Sequence, residues 1–288
     1  MATYTTEQLR DQGISKYRTA RLIAGKQLFR LIRGLYVDRY TPEEVARAIT
    51  TAYPDAVLTG ESAAALHLGL PLTFPIRAEG ARTIRGLGFS ITHSRGPSRT
   101  SVDGIAVVEP LWAAVKTPRL AQRLVEKHYS GKGARRRLNV DLARMGRIPR
   151  WLRSAVERTP IGARSKLESN MAKELIAEGF AVRLNEYVGP YCYDILLKRW
   201  RIAIEIDSHK YHLDSDSFVS DRWKSNSGMV HGWLVLRFTD SCLRWNLHAV
   251  ISAVKQAVAW VRARRPLRNW HPGYPAGQSA WEWNHSLM

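Results

Sequence analysis

The chain has 288 residues, 45% of them hydrophobic and 24% charged, a composition that suits packed globular domains and excludes wholesale disorder. At roughly 100–200 residues per domain it is long enough for two domains, or three if a small N-terminal module stands alone. Its 44 Lys and Arg against 25 Asp and Glu give a formal charge of +19, so polyanions are the expected partners, and nucleic acid with its phosphate backbone comes first.

A membrane surface is the rival polyanion, but the sequence has no basic amphipathic helix of the interfacial kind and no lipidation motif. No segment approaches the ~20 apolar residues needed to span a bilayer. Met1 to Arg10 lacks a signal-peptide core, so a cytoplasmic location is expected. Two cysteines, Cys192 and Cys242, are too few for a disulfide framework or a cysteine zinc site. Residues 1 to 159 carry 27 basic and 13 acidic side chains, whereas residues 160 to 265 carry 16 and 11. That shift, with the punctuation Thr159-Pro160-Ile161-Gly162, sets the expected domain boundary.

Thr5 caps a first short helix that ends at Gln12-Gly13. A second runs from Ser15 to Ala24, with Tyr17, Ala20 and Leu22 expected inward, Lys16, Arg18 and Arg21 outward, and Gly25 closing it. Leu28 to Val37 then forms two β runs hinged at Arg33-Gly34, where a wing would turn. Helix, turn, helix and basic hairpin together point to DNA. A solvated surface pair is the bland alternative.

The run "TTEQLRDQGISKYRTARLIAGKQLFRLIRGLYVD", followed by "AVLTGESAAALHLGL", resembles the N-terminal half of AbiEi-type antitoxins and related regulators, over about residues 3 to 120. That resemblance implies a winged helix bound to operator DNA, with Lys16, Arg18 and Arg21 toward the major groove and Arg30 and Arg33 on the wing. It also brings a cognate toxin into view as a partner.

Helices at Pro42 to Ala52 and Gly60 to Leu68, strands between Ile76 and Val108 and a helix starting at Leu111 make residues 41–130 a mixed α+β region without a catalytic constellation. Residues 131–159 are a basic linker in which Arg135, Arg136 and Arg137 are candidate phosphate contacts. Arg144, Arg147, Arg150 and Arg153, spaced by three, form a stripe that a helix or an extended chain could lay along DNA.

Residues 160–265 carry the chemistry. Arg164 to Glu168 opens a helix with the apolar stripe Leu167, Met171 and Leu175, and Ser165-x-x-Glu168 also fits a capping box. Tyr191 to Leu197 and Arg201 to Asp207 read as an antiparallel hairpin about Arg199-Trp200, which puts Asp194 directly opposite Glu205, with Cβ atoms about 5 Å apart. Asp207 shares that face because side chains alternate, and Ile202, Ile204 and Ile206 take the other. Three carboxylates so crowded repel without a cation, and hard divalent metals select carboxylate oxygens, so Asp194, Glu205 and Asp207 are the expected ligands of Mg2+ or Mn2+. Solvent-facing acids on an exposed sheet are the alternative.

The segments "SKLESNMAKELIAEGF", "YDILLKRWRIAIEIDSHKYH", "DRWKSN" and "GWLVLRFTD" resemble, in order and spacing, a domain related to very-short-patch-repair endonucleases in the PD-(D/E)XK superfamily. The resemblance implies a restriction-endonuclease-like α/β domain that hydrolyses DNA phosphodiesters. It places Glu168 on the first helix, Asp194 on the metal-binding strand and Glu205 and Asp207 on the next. Asp221, Arg222 and Arg237 match its flanking polar positions. Two departures stand out: Asp207 occupies the place of the usual catalytic lysine, and Ser208 that of a glycine. Lys210, His212 or a metal-bound hydroxide are the candidate bases. His209-x-x-His212 lacks a third spaced ligand for zinc.

Beyond Arg265 the chain turns Trp, Pro and Gly rich, and Trp270, Trp281 and Trp283 are expected to pack on the body. The expected class is therefore α/β (α+β), a winged helix-turn-helix over residues 1–40 followed by the mixed region, the linker, the nuclease-like domain and a tail over 266–288. Two functions remain: a magnesium-dependent endodeoxyribonuclease guided by the winged helix, or a non-catalytic regulator or antitoxin whose nuclease-like domain only binds DNA. Charge alone also admits RNA as the target.

Overall fold

A computed structural model describes residues 3–96, 98–207 and 215–263. The chain is mixed α and β with three sheets. It forms two compact units, the first comprising Met1–His128 with Val140–Ala155 and the second Tyr129–Asn139 with the chain from Val156 onward.

In the first unit, β1 (Thr3–Thr5), α1 (Thr6–Asp11), α2 (Lys16–Ala24), β2 (Phe29–Ile32) and β3 (Leu35–Val37) build the helix-turn-helix and its hairpin. Thr5 and Ser15 cap the two helices through hydrogen bonds from the amides of Gln8 and Arg18. The strands pair in the order β1-β3-β2, and Gly34 turns the wing at φ +91, a conformation glycine adopts freely. Leu9, Leu28 and Tyr36 form the small core, with Leu22 and Ile23 packed against it. The inward set expected for α2 is corrected here, because Tyr17 is 82% exposed and Ala20 is also exposed. So short a helix packs on the small core through Leu22 and Ile23, near its C-terminal end.

The rest of this unit holds α3 (Pro42–Ala52), β4 (Val57–Leu58), α4 (Gly60–Leu68), β5 (Ile76–Gly80), β6 (Ile84–Gly86), β7 (Phe89–His93), β8 (Arg99–Val102), β9 (Ile105–Val108), α5 (Pro110–Lys116) and α6 (Ala121–His128). Its six strands are ordered β6-β7-β5-β4-β9-β8. The basic stretch is helical, as α7 (Ala134–Met145) and α8 (Arg150–Glu157), and the division between the units passes through both. The arginine stripe is therefore interrupted between the helices, where Gly146 takes φ +67.

The second unit contains α9 (Lys166–Ala177), β10 (Arg183–Val188), β11 (Tyr191–Leu197), β12 (Ile202–Asp207), α10 (Ser215–Val230), β13 (Leu234–Thr239), α11 (Asp240–Trp245) and α12 (Leu247–Ala263). Its sheet runs β10-β11-β12-β13, antiparallel except for the β12–β13 pair, which α10 connects as a parallel crossover. On one face Ile195, Leu197, Ile202 and Ile204 bury against Met171, Leu175, Leu243, Val254 and Val258 from α9, α11 and α12. On the other face Tyr193, Leu196 and Ala203 form a second cluster. Gly228 of α10 comes so close to that face that an added Cβ would lie 2.5 Å from Val235 and 2.7 Å from the Tyr193 hydroxyl. Helices thus cover both sides of a mixed sheet, as its parallel pair requires.

Candidate active site

The site forms where β11 and β12 part. Their ladder pairs Leu197 with Ile202, Leu196 with Ala203 and Ile195 with Ile204 and ends there, one residue short of Asp194 and Glu205, the two acids that the hairpin argument expects to face each other. At this step side chains replace the backbone ladder. Asp194 Oδ2 accepts from the Ile206 amide at 2.8 Å, and the Asp194 amide donates to Glu205 Oε1 at 3.2 Å. Strand β12 remains paired with β13 as far as Asp207 and Thr239. The two strands fork, and the carboxylates fill the fork.

Both acids sit where burial disfavours charge. Glu205 is only 5% exposed; burial and then the neighbouring Asp194 charge push its carboxyl up to about 7, against the pull of Lys224. Burial likewise raises Asp194, helped by the charges of Glu168 and Asp207 and opposed by the Ile206 amide and Lys224.

Lys224 is the residue the sequence did not single out. Its ammonium donates to Glu205 Oε2 at 2.5 Å and lies 5.1 Å over the Tyr193 ring. The Tyr193 hydroxyl donates to the Lys224 carbonyl at 2.6 Å, which fixes α10 over the sheet where bare Gly228 lets it approach. The segment "DRWKSN" contained this lysine, but nothing in its spacing tied it to Glu205.

Glu168 is buried at the start of α9, though not as a simple capping box. The Ser165 hydroxyl does accept from the Glu168 amide, yet Glu168 Oε2 accepts from the Arg164 amide at 2.9 Å and Asn185 Nδ2 at 2.7 Å. Asn185 adopts φ +52 inside β10, a left-handed kink that turns its amide toward Glu168 and the Gly162 carbonyl. Asn185 sits between Arg183 and Glu186 in a mixed strand, so nothing in the sequence pattern signalled it.

The expected three-carboxylate ligand set is corrected. Asp207 is clasped by Arg237, whose Nε and Nη2 donate to the two Asp207 oxygens at 2.9 and 2.6 Å. Arg237 also bonds the Asp221 carboxylate at 2.9 Å and the Asp221 carbonyl and Ser225 hydroxyl at 3.0 Å each. Burial alone would lower the guanidinium, but the bonds and charge of Asp207, joined by Asp221, hold it above its ordinary value. Among the described residues no three His, Cys, Asp or Glu side chains are grouped to hold a metal ion. Asp194 and Glu205 remain as a pair of hard oxygen donors, which suits magnesium, an ion that commonly takes one or two carboxylates and completes its shell with water and phosphate. Lys210 and His212, with His209, Trp270, Trp281 and Trp283, lie outside the described residues.

The expected DNA contacts divide. Lys16, Arg18, Arg21, Arg30 and Arg33 are all exposed on α2 and the hairpin, and the newly exposed Tyr17 joins them. Arg136 is exposed on α7. Arg137 instead donates to the carbonyls of Lys132 and Ser130, both at 2.8 Å, and Arg135 is half-buried beside Glu186 at 3.8 Å. Arg144 pairs with Glu109 and Asp141.

No family model and no curated protein matches the sequence. Among solved structures, the chain is similar to the catalytic domain of the homing endonuclease I-Bth0305I, with 20% identity and a TM-score of 0.27 over 35% of this chain and 96% of that one. No described helix is long and apolar enough to cross a membrane.

Proposed function

We propose that this is a DNA-binding protein whose second unit hydrolyses DNA phosphodiesters with the help of a divalent cation. The observation that carries the reading is the Asp194–Glu205–Lys224 cluster at the strand fork. A buried acid and a half-buried one share a gap with one ammonium, at a cost in desolvation that packing alone does not call for.

Asp194 and Glu205 would hold Mg2+ or Mn2+, and the bound ion would supply charge neutralisation and a more acidic water. Lys224 would take the part of the strand lysine in the superfamily that the sequence resembles, arriving from α10 instead of the position of Asp207. Its ammonium neutralises Glu205 while the site is closed on itself and meets phosphate charge once the acid is otherwise engaged. Tyr193 orients Lys224, and the Arg237 clasp on Asp207, Asp221 and Ser225 ties the end of β12 to β13 and to the middle of α10. The exposed cations of α2 and the hairpin would bring the duplex to the protein, with operator-like recognition by the second helix.

The clasp itself favours a second reading. With Asp207 bound to Arg237 and Glu205 bound to Lys224, the acids are already satisfied, as they would be in a non-catalytic regulator or antitoxin that uses the unit only to bind DNA. A thermal melt separates the two. Magnesium or manganese raises the melting temperature of the wild type and not of Asp194→Asn if the acids form a cation site; equal, null responses leave the regulator as the better account.

A further inference from the structure

The start of β12 and the start of β13 lie side by side because the strands are parallel, and the acids sit at the far end of the same pair. From Arg201 to Glu205 is four steps, about 13 Å at ~3.3 Å per residue. At the starting end lies a hollow of about 840 Å³ that the chemistry above does not use, lined by Lys198, Arg199, Arg201 and the indoles Trp200, Trp233 and Trp260. Its size falls within the range of small-ligand sites, about 300–1,000 Å³.

The lining combines cations with partly buried indole rings. The Arg199 guanidinium lies 4.9 Å over the Trp200 ring. Arg201 takes the left-handed conformation, φ 49, and Gly232 makes room for it, since an added Cβ there would stand 3.2 Å from Arg201 Nη1. Lys198 pairs with Glu186, whereas among the described residues Arg199 and Arg201 form no ion pair. Met229, 61% exposed, supplies an adaptable apolar wall. Cations that track phosphate beside rings that stack on bases are what single-stranded nucleic acid requires, because unpaired bases expose faces that a duplex hides. An apolar small molecule would leave the two arginines without a counter-charge, and a double helix could not bring a base face to the indoles.

We infer that this hollow binds an unpaired nucleotide of single-stranded DNA, its base against the tryptophans and its phosphate against Arg199 and Arg201. The site is separate from the acid cluster and does not depend on cleavage.

The test is fluorescence anisotropy of the full chain with a short labelled oligothymidylate, compared with an abasic strand of equal length and charge, in metal-free buffer. The thymidylate should bind about tenfold or more tightly than the abasic strand. Arg199→Glu with Arg201→Glu should weaken binding at least tenfold, and Met229→Glu, at an exposed position that tolerates change, should erase the preference for bases. Arg18→Ala with Arg21→Ala should keep that preference. Equal affinity for the two strands, indifference to the hollow variants, or loss of the preference in the α2 variant would overturn the site. Absence of cleavage by the wild type would contradict the nuclease reading and leave these expectations standing.

Discussion

Lys224 of α10 and Glu205 of β12 form an ion pair of 2.5 Å inside the strand fork, 19 residues apart in sequence. The pairing places an ammonium beside the acid pair although the position two residues after Glu205 is an aspartate. Lys224→Met should therefore reduce metal-dependent cleavage by about a hundredfold or more, the usual scale for removing one transition-state charge partner, while leaving duplex affinity unchanged in a gel-shift titration. It should also destabilise the protein by about 2 kcal/mol at pH 8, where Glu205 loses its partner while charged, and by much less at pH 5, measured by urea unfolding. Wild-type cleavage by the variant would remove Lys224 from the mechanism.

The raised carboxyl of Glu205 makes metal-free stability pH-dependent. A carboxyl lifted from its usual 4.5 to about 7 in the fold contributes stability that is complete below 4.5 and is lost as pH rises through about 7. Melting temperature in EDTA should fall between pH 4.5 and about 7 from this source, and Glu205→Gln should flatten that fall. An identical slope in the variant would show that Glu205 is not the group responsible.

In the first unit the sign is opposite. His67 and His128 meet edge to face with ring centroids 4.8 Å apart, and His67 Nε2 donates to the Val108 carbonyl at 2.7 Å. Burial, then the neighbouring His67 and Lys127, push His128 down to about 4. Its contribution is complete above the ordinary 6.5 and disappears as pH falls toward 4. Replacing His128 by Gln should reduce acid sensitivity in that window, followed by near-ultraviolet circular dichroism, and an unchanged acid midpoint would count against this pair.

Arg237 grips Asp207 with two parallel bonds, a geometry that an ammonium cannot copy. Arg237→Lys should cost about 2 kcal/mol of stability, and Asp207→Asn should cost a similar amount. In a double-mutant cycle the two losses should overlap rather than add. Full additivity would mean that the clasp contributes nothing of its own.

On α2, Tyr17 carries almost no packing, so Tyr17→Ala should change stability by less than about 0.5 kcal/mol. It should nevertheless weaken duplex binding together with Arg18→Ala and Arg21→Ala, and alter sequence preference, whereas Arg33→Ala should mainly lower the salt slope by about one. Unchanged binding in all four would remove the winged helix from DNA recognition.

The hairpin register was legible because the residues flanking Arg199-Trp200 are β-rich on both sides, and a loop centred there fixes which residues oppose. That argument reached Asp194 and Glu205. It could not reach the fork, since alternation assumes a regular ladder and the two acids instead bond to backbone amides. Nor could it reach Lys224, whose position depends on the crossover helix and on Gly228 letting that helix down onto Tyr193. Asp207 shared the right parity, yet the parallel neighbour β13 brought Arg237 beside it, and an antiparallel hairpin considered alone contains no β13. Tyr17 was misplaced for a simpler reason: periodicity gives an apolar side to a helix, but in a nine-residue helix only one turn reaches the core.

Plasmid nicking tests the central claim most directly. Supercoiled DNA incubated with the wild type should be nicked in magnesium or manganese and untouched in EDTA, while Asp194→Asn, which keeps the shape and removes one of two repelling charges, should bind DNA, melt no lower than the wild type without metal, and fail to nick. Intact plasmid under all conditions with a wild type that binds DNA well, or equal nicking by Asp194→Asn, would contradict the account.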